Sequence, residues 1–257
     1  MGYEMPEFLN RLGLAQSLKR WTRALQVPGS ILTRDLKAMH RDMRATRDRI
    51  DALAATARTE LLTRVTGQDG IERPDQCDWA VRPGPWSTAI RPAGHVDVGS
   101  PFVIGSGVTL FHDAVRSDLS VRQVRAHSGL VGPKFGLVLE VYRFDGSFVS
   151  LVQDLPAAAL EGLTLNHFIA VHLQVTREQP LEIYARLNVQ HGPNHEQVVR
   201  QFSFEGDRGL AEFDLAYTKI NEKRLEKAWL DLILEGPEMN RVEIQDMVLL
   251  RAPRADF

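Results

Sequence analysis

From residue 102 to residue 251, the chain is a succession of short segments in which apolar and polar side chains alternate, and this pattern constrains the fold more than any other feature. Such alternation is typical of half-buried strands. The dipeptide Asp145-Gly146, between Phe144 and Phe148, indicates a tight hairpin turn. Predicted strands cover residues 102–104, 107–112, 119–126, 136–145, 147–153, 167–177, 182–190, 197–205, 210–217, 228–235 and 241–251.

About ten strands separated by turns predict a mainly β fold, either a sandwich or a barrel. We favour a jelly-roll-like antiparallel β-sandwich. Short helices are predicted at residues 156–161 and 220–227, and a turn is predicted at residues 235–240.

The first 66 residues are predicted to be helical. One amphipathic helix covers residues 6–25, and a longer helix covers residues 33–65, with Thr33 as its N-cap and Asp35 in its first turn. In the longer helix, apolar residues recur at alternating spacings of three and four, as in a coiled coil. This seam consists of Leu36, Met39, Met43, Thr46, Ile50, Leu53 and Ala57. It requires a partner, which is either a second copy of the chain or the first helix, and we favour a homo-oligomer.

The chain is therefore divided into three parts. Residues 1–66 form a helical arm for oligomerisation or docking, and residues 67–101 form a linker rich in Pro and Gly with a first strand near 77–82. Residues 102–257 form the β-sandwich domain.

Charge and composition exclude several classes of protein. Residues 1–68 carry 12 Lys and Arg against 7 Asp and Glu, a net +5, whereas the remainder is −7. An acidic body argues against nucleic acid as the ligand. The single cysteine, Cys77, excludes an intrachain disulfide and a zinc site made of several cysteines.

Targeting signals are not evident in the sequence. No segment has the apolar length of a transmembrane helix. Charged residues at 4, 7, 11, 19 and 20 interrupt any signal-peptide core. We therefore predict synthesis in the cytoplasm, with release as part of a particle as the open alternative.

Polar and aromatic residues that suit a sugar recur in three of the predicted strands. If residues 182–190, 213–219 and 229–235 belong to one sheet, their polar positions line one face. Guanidinium, amide and carboxylate groups hold sugar hydroxyls, and aromatic rings stack on sugar C–H faces. The predicted sugar-binding residues are Arg186, Asn188, Asp214, Asp231, Glu235, Tyr184, Tyr217 and Trp229. The alternative is a solvated sheet face with cross-strand ion pairs.

Catalytic and metal sites find less support. A glycosidase requires two carboxylates flanking the scissile bond. Asp231 and Glu235 would be about 13 Å apart along one strand, so a cross-strand partner such as Asp214 would be required. No nucleophile elbow or phosphate-binding glycine motif is present, and Gly192-Pro193 prevents His191 and His195 from sharing a helix face. We predict no catalytic residues, no metal ligands and no cofactor, with structural calcium as an open alternative.

Three segments carry a resemblance to a known family. They are Phe213-Asp-Leu-Ala-Tyr-Thr-Lys219 with its continuation to Asn240, Tyr142-Arg-Phe-Asp-Gly-Ser-Phe148, and Arg251-Ala-Pro-Arg-Ala255. Over residues 78–255 and the helical arm, the chain resembles an uncharacterised alphaproteobacterial family, a domain of unknown function, and this resemblance implies no activity. The order of helical arm and sandwich is also similar to spike proteins of tailed phages and phage-like gene transfer agents.

The functional prediction is a non-enzymatic protein that binds a cell-surface polysaccharide or a protein partner. Its specific form is a spike or receptor-binding component of a phage-like particle. The alternatives are a glycoside hydrolase or lyase, and an intracellular scaffold without a small ligand.

Overall fold

The computed structural model describes residues 18–19, 21–24, 26, 29, 32–66, 70–105, 107–126 and 132–254. The chain divides into two units, Met1–Asp51 and Ala52–Phe257. Helix α1, Thr33–Thr66, has Asp35 in its first turn, where a carboxylate stabilises the helix dipole. Residues 18–19, 21–24 and 26 are also helical, while most of the first predicted helix lies outside the described residues.

The seam predicted for α1 is half-buried at its beginning and exposed further on. Leu36, Met39 and Met43 are half-buried, whereas Ile50 and Leu53 expose more than half of their side-chain surface. The coiled coil stays a prediction. None of the helices in the described ranges has an apolar stretch long enough to cross a membrane.

Fourteen strands and four short helices follow α1 within the described residues. Helix α2 is Gly84–Ser87, and single 3₁₀ turns lie at Ala157–Ala159, Leu215–Tyr217 and Glu222–Arg224. The strands are β1 Trp79–Val81, β2 Gly94–Val96, β3 Phe102–Gly105, β4 Val108–His112, β5 Ser117–Arg125, β6 Phe135–Phe144, β7 Phe148–Asp154, β8 His167–Arg177, β9 Glu182–His191, β10 Asn194–Gln201, β11 Ser203–Glu205, β12 Arg208–Asp214, β13 Leu225–Glu235 and β14 Asn240–Pro253.

The strands form two antiparallel sheets. The eight-stranded sheet has the order β11-β12-β8-β14-β6-β5-β2, with β1 paired to β14, and the six-stranded sheet has the order β10-β9-β13-β7-β4-β3. Alternate side chains of both sheets, such as Leu173 and Leu249 in one and Leu187 and Leu230 in the other, lie in one buried core. Full burial of each such side chain contributes about 1.5–3 kcal/mol. The predicted antiparallel β-sandwich is confirmed.

The turn at Asp145-Gly146 joins β6 to β7, but the predicted hairpin is wrong, because β6 lies in the eight-stranded sheet and β7 in the six-stranded sheet. A side chain on Gly146 would meet the Asp113 carboxylate at 2.5 Å, so only glycine fits there. Asp113 in turn accepts a hydrogen bond from the backbone N–H of Ser147 at 2.8 Å. The turn is therefore fixed by the neighbouring loop as well as by its own sequence.

The run predicted as one strand over 197–205 is two strands, and the chain changes sheet between them. β10 lies at the edge of the six-stranded sheet and β11 at the edge of the eight-stranded sheet. Phe202, between them, is buried, and its N–H donates to the Ile183 carbonyl at 3.0 Å. Because Phe202 enters the core at this point, everything from β11 to β12 belongs to the eight-stranded sheet.

The segment before residue 102 is packed on the eight-stranded sheet. Trp86 of α2 is completely buried, and its indole N–H donates to the Ile244 carbonyl at 2.9 Å. The register of β14 against β8 shifts between Ile244 and Asp246, so Gln245 is the extra residue of a β-bulge. Arg82 forms two hydrogen bonds to Asp246, at 2.8 and 3.0 Å.

A second contact fixes the same segment further along β14. Arg251 is buried and donates to both carboxylate oxygens of Asp78, at 2.9 and 3.0 Å. It also donates to the backbone carbonyls of Ala159 and Glu161. Partial burial acts to raise the pKa of Asp78, but the hydrogen bond and charge of Arg251, with the charge of His167, lower it overall.

Candidate functional site

The six-stranded sheet brings together six of the predicted sugar-binding residues on β9 and β13, namely Arg186, Asn188, Asp231, Glu235, Tyr184 and Trp229. Asp231 lies opposite Arg186, and Trp229 lies opposite Asn188, in the pairing of β13 with β9. The Nε and Nη2 atoms of Arg186 are 2.6 and 2.5 Å from Oδ2 of Asp231. These side chains alternate with core residues, so they lie on the outer face of the sheet.

This cluster is an internally bonded network rather than an open site. Asn188 donates to Oδ2 of Asp231 at 3.2 Å and accepts from Gln197 of β10 at 3.0 Å. The Asp231 side chain is only 2% exposed, against 39% for Arg186. Oδ1 of Asp231 is buried without a hydrogen-bond partner, and Nη1 of Arg186 has none among the described residues. Asp231 therefore holds the guanidinium in place, and Nη1 is the group left to reach a ligand.

The aromatic residues of this face are already engaged. The Trp229 ring stacks on His195, with centroids 4.9 Å apart and planes at 15°, and the Lys227 ammonium is 5.4 Å from the Trp229 ring. Tyr184 donates its hydroxyl to Glu182 at 2.5 Å, and this hydrogen bond raises the pKa of Tyr184 to about 12. Glu235 lies directly opposite Glu182. A sugar stacking on Trp229 would have to share or displace the His195 contact.

Asp214 and Tyr217 do not join this face, which corrects the expectation that all three runs share one sheet. Asp214 ends β12 in the eight-stranded sheet, where it pairs with Phe168. Its side chain accepts from the backbone N–H of Ala216 at 3.0 Å and so caps a 3₁₀ turn. Tyr217 is 81% exposed, with its ring 5.8 Å from the guanidinium of Arg254. The change of sheet at Phe202 is the cause, because it carries β12 away from β9.

A pocket on the outer face of the eight-stranded sheet was missed by the sequence prediction. We call it the polar pocket; its volume is about 420 Å³, within the range of small-molecule sites. The polar pocket lies over β14, β8 and β12 and is bounded on one side by residues 70–72. The residues that matter for its chemistry are Glu72, His172, Gln174, Arg208, Asp246 and Val248.

Four of these side chains converge on the polar pocket without a partner of their own. Glu72, His172, Gln174 and Arg208 make no side-chain hydrogen bond or ion pair with any described residue. Burial lowers the pKa of His172 below its usual value, although the charges of Glu212 and Glu72 oppose this shift. The imidazole is therefore uncharged near neutral pH. The pocket thus offers one cation, one anion and two neutral polar groups beside the apolar Val248.

Little in the sequence could have identified this pocket. His172 and Gln174 are the polar positions of an alternating strand, a pattern that indicates a sheet face but no ligand. Glu72 is about 100 residues away in a segment interpreted as a linker. Its approach to β8 depends on the packing of Trp86 and Arg82, which no local pattern predicts.

Metal binding finds no support in the described ranges. They contain no group of three or more His, Cys, Asp or Glu side chains that could hold an ion.

Several solved structures are similar to this chain, with low TM-scores and low sequence identity. A family 11 carbohydrate-binding module from Clostridium thermocellum, in complex with a β-1,3-1,4-mixed-linked tetrasaccharide, is 10% identical over 63% of this chain and 98% of the module, with a TM-score of 0.39. The module TmCBM61, in complex with β-1,4-galactotriose, is 16% identical over 56% of this chain and 88% of the module, with a TM-score of 0.34. The enzymatically active domain of tailspike protein 4 from bacteriophage CBA120 is 8% identical over 56% of this chain, with a TM-score of 0.36, and the match spans 19% of the tailspike chain.

The sequence matches no curated protein. The resemblance to a family without an assigned activity, carried by the segments around residues 142–148 and 213–240, is confirmed in its general form. The chain belongs to a family of unknown function (DUF6478), whose model matches residues 1–257.

Proposed function

We propose that this protein binds carbohydrate without catalysis, and that the saccharide occupies the polar pocket of the eight-stranded sheet. The observation that carries the proposal is the convergence of Glu72, His172, Gln174 and Arg208, all without partners among the described residues, on one concave surface. All four residues are exposed, so their polar atoms are open to a ligand in this pocket.

The chemistry of these groups suits a polyhydroxylated ligand. Each sugar hydroxyl both donates and accepts, so it pairs equally well with the Arg208 guanidinium, the Glu72 carboxylate and the Gln174 amide. The side chain of Val248 on β14 offers apolar surface to the C–H groups of a sugar. A ligand with a single strong charge would be attracted by one of the two charged groups, Arg208 and Glu72, and repelled by the other, so it would gain less binding free energy.

The carboxylates of the polar pocket favour binding over hydrolysis. Glycoside hydrolysis uses two carboxyl groups, one of them free to act as base or nucleophile. Asp246 is committed to Arg82 in an ion pair whose side chains are 18% and 8% exposed. Of the described residues that line the pocket, Glu72 is then the one carboxylate free to act.

The narrower proposal is a receptor-binding role in a phage-like particle. It is supported by the order of a long helix followed by a sandwich, and by the seam residues Ile50 and Leu53, which expose more than half of their side-chain surface. Light scattering on the purified full chain tests it: a stable dimer or trimer is expected, and a monomer at micromolar concentration contradicts it. The alternative of a scaffold without a ligand is favoured if no glycan binds.

A glycan array that includes bacterial capsular polysaccharides tests carbohydrate binding by the full chain. We expect Arg208→Ala and Gln174→Ala to abolish binding or weaken it about tenfold, because each removes hydrogen bonds made by a charged or amide group. Arg200→Ala is the matched control, since Arg200 is an exposed arginine of β10 whose Nη1 donates only to a backbone carbonyl.

The same array separates the two sheet faces. Arg186→Ala changes only the six-stranded face. Loss of binding in that variant, once thermal unfolding shows that it is folded, with Arg208→Ala unaffected, would move the site to the predicted residues Arg186, Asn188 and Trp229. Absence of binding to every glycan would contradict the proposed function itself.

A further inference from the structure

We infer that the ligand is a linear oligosaccharide that crosses five strands of the eight-stranded sheet, and that Arg125 and Gln245 bind the part of it that extends beyond the polar pocket. This inference rests on the proposed function. It assigns a ligand class, an extended chain rather than a single sugar, and it adds two specificity-determining residues.

A second pocket continues the polar pocket towards β5. Its volume is about 280 Å³, and it shares Gln174 and Pro133 with the polar pocket. Its lining includes Val124, Arg125, Gly136, Gln174 and Gln245. Because the two pockets have a wall in common, a ligand that fills one can extend into the other without leaving the sheet surface.

The register of the strands shows that the two pockets follow one row across the sheet. Val124 of β5 lies opposite Gly136 of β6. Asp246, next to the bulge residue Gln245, lies opposite Gln174 of β8, and Gln174 lies opposite Arg208 of β12. From β5 to β12 the row crosses four strand intervals, which is about 19 Å at the usual spacing. One sugar ring cannot contact both ends of such a row, whereas a chain of several units can.

Gly136 and the bulge residue Gln245 lie where β6 and β14 approach each other closely. Gly136 has no side chain, and a Cβ there would lie 3.2 Å from the Ile244 carbonyl and 3.4 Å from Cα of Gln245. The β-bulge makes Gln245 an extra residue of β14, and bulges redirect side chains in this way. The Gln245 amide donates to Oγ1 of Thr176 at 3.1 Å, which holds it in place and leaves its carbonyl oxygen as an acceptor.

The far end of the row carries an unpaired cation. Arg125, the last residue of β5, is exposed and makes no ion pair or side-chain hydrogen bond with the described residues. By contrast, Glu243 in the same pocket is paired with Arg241 at 2.7 Å. Arg125, which follows Val124 and lines the second pocket, and Arg208 of the polar pocket therefore lie at opposite ends of the two pockets, each free to donate to hydroxyl or ring oxygens of a different sugar unit.

Calorimetric titration with a length series tests the inference. The probes are neutral β-linked gluco-, xylo- and galacto-oligosaccharides of one to six units, titrated into the full chain and into Arg125→Ala, Gln245→Ala and Arg208→Ala. Thermal unfolding of each variant establishes that it is folded, and Arg200→Ala is again the matched control.

We expect the affinity to rise with chain length until the row is filled. Arg125→Ala and Gln245→Ala should leave the shortest bound probe unaffected and weaken the longest about tenfold, whereas Arg208→Ala should weaken every probe. A monosaccharide that binds as tightly as the longest chain, or an Arg125→Ala effect that is equal at all lengths or absent, would overturn this inference alone. Failure of every glycan to bind would overturn the proposed function and this inference with it.

Discussion

Replacement of Trp86 by phenylalanine should destabilise the sandwich more than the same replacement at a half-buried tryptophan. Trp86 is completely buried between α2 and the eight-stranded sheet, and its indole N–H is the donor to the Ile244 carbonyl at the β-bulge. Phenylalanine keeps most of the apolar contact but has no donor. The substitution therefore isolates one hydrogen bond and the space left by the smaller ring.

The magnitude follows from these two terms. A buried carbonyl deprived of its donor costs about 1–3 kcal/mol. A space of about one methyl group in a packed core costs about 1 kcal/mol more. We expect the free energy of unfolding to fall by about 2–4 kcal/mol, which is a large fraction of the stability of an ordinary domain.

Urea unfolding followed by far-ultraviolet circular dichroism measures this loss without relying on tryptophan fluorescence. The matched control is Trp79→Phe, because Trp79 is half-buried in β1 and its indole N–H has no acceptor among the described residues. We expect the control to cost less than about 1 kcal/mol. If both variants lose the same stability, the indole hydrogen bond does not anchor the bulge and the reasoning is wrong.

Three further predictions concern charged groups. Because the pKa of Asp78 is lowered in the folded state, its carboxylate stabilises the protein at pH values above the unfolded pKa of about 3.9, and this contribution is lost as the pH falls through the lower folded pKa. Asp78→Asn should therefore flatten the decline of the unfolding free energy between pH 5 and pH 2. An unchanged decline would contradict this. Spectrophotometric titration should show Tyr184 ionising near 12, and Glu182→Gln should return its pKa towards about 10; an unchanged titration would exclude the hydrogen bond as the cause. Arg186→Ala should lower the unfolding free energy by about 3 kcal/mol because it leaves the Asp231 carboxylate buried without its cation. A double-mutant cycle with Asp231→Ala, measured by urea unfolding, checks this, and strictly additive effects of the two substitutions would count against it.

Local sequence patterns predicted most of the elements of this fold. The long helix was expected over residues 33–65 and is Thr33–Thr66. The turn at Asp145-Gly146 is present, because its chemistry is contained in two residues, but the predicted hairpin is wrong, since β6 and β7 lie in different sheets. A turn after His191 joins the paired strands β9 and β10. Such features depend on side chains close in sequence, so a single chain is enough to predict them.

The assignment of strands to sheets was not predictable in the same way. Phe202 interrupts an alternating run without any Gly or Pro to signal a break, and its burial, not its local sequence, moves the chain to the other sheet. As a result Arg186, Asn188 and Asp231 lie together on one face, whereas Asp214 and Tyr217 are not part of that face. Pairing between distant strands is decided by the packing of the whole core, and this packing cannot be read from local patterns in one sequence.

The polar pocket depends on a relation between segments that are far apart in sequence. Trp86 donates to the Ile244 carbonyl, and the next residues of β14 are the bulge residue Gln245 and Asp246, which binds Arg82. The segment interpreted as a linker therefore both fixes the bulge and supplies a wall of the pocket through residues 70–72. Removal of everything before residue 102 would leave β14 without the Trp86 donor and the pocket without Glu72. The proposed ligand site is thus a property of residues 70–254 acting together, and binding experiments should use the chain with this segment in place.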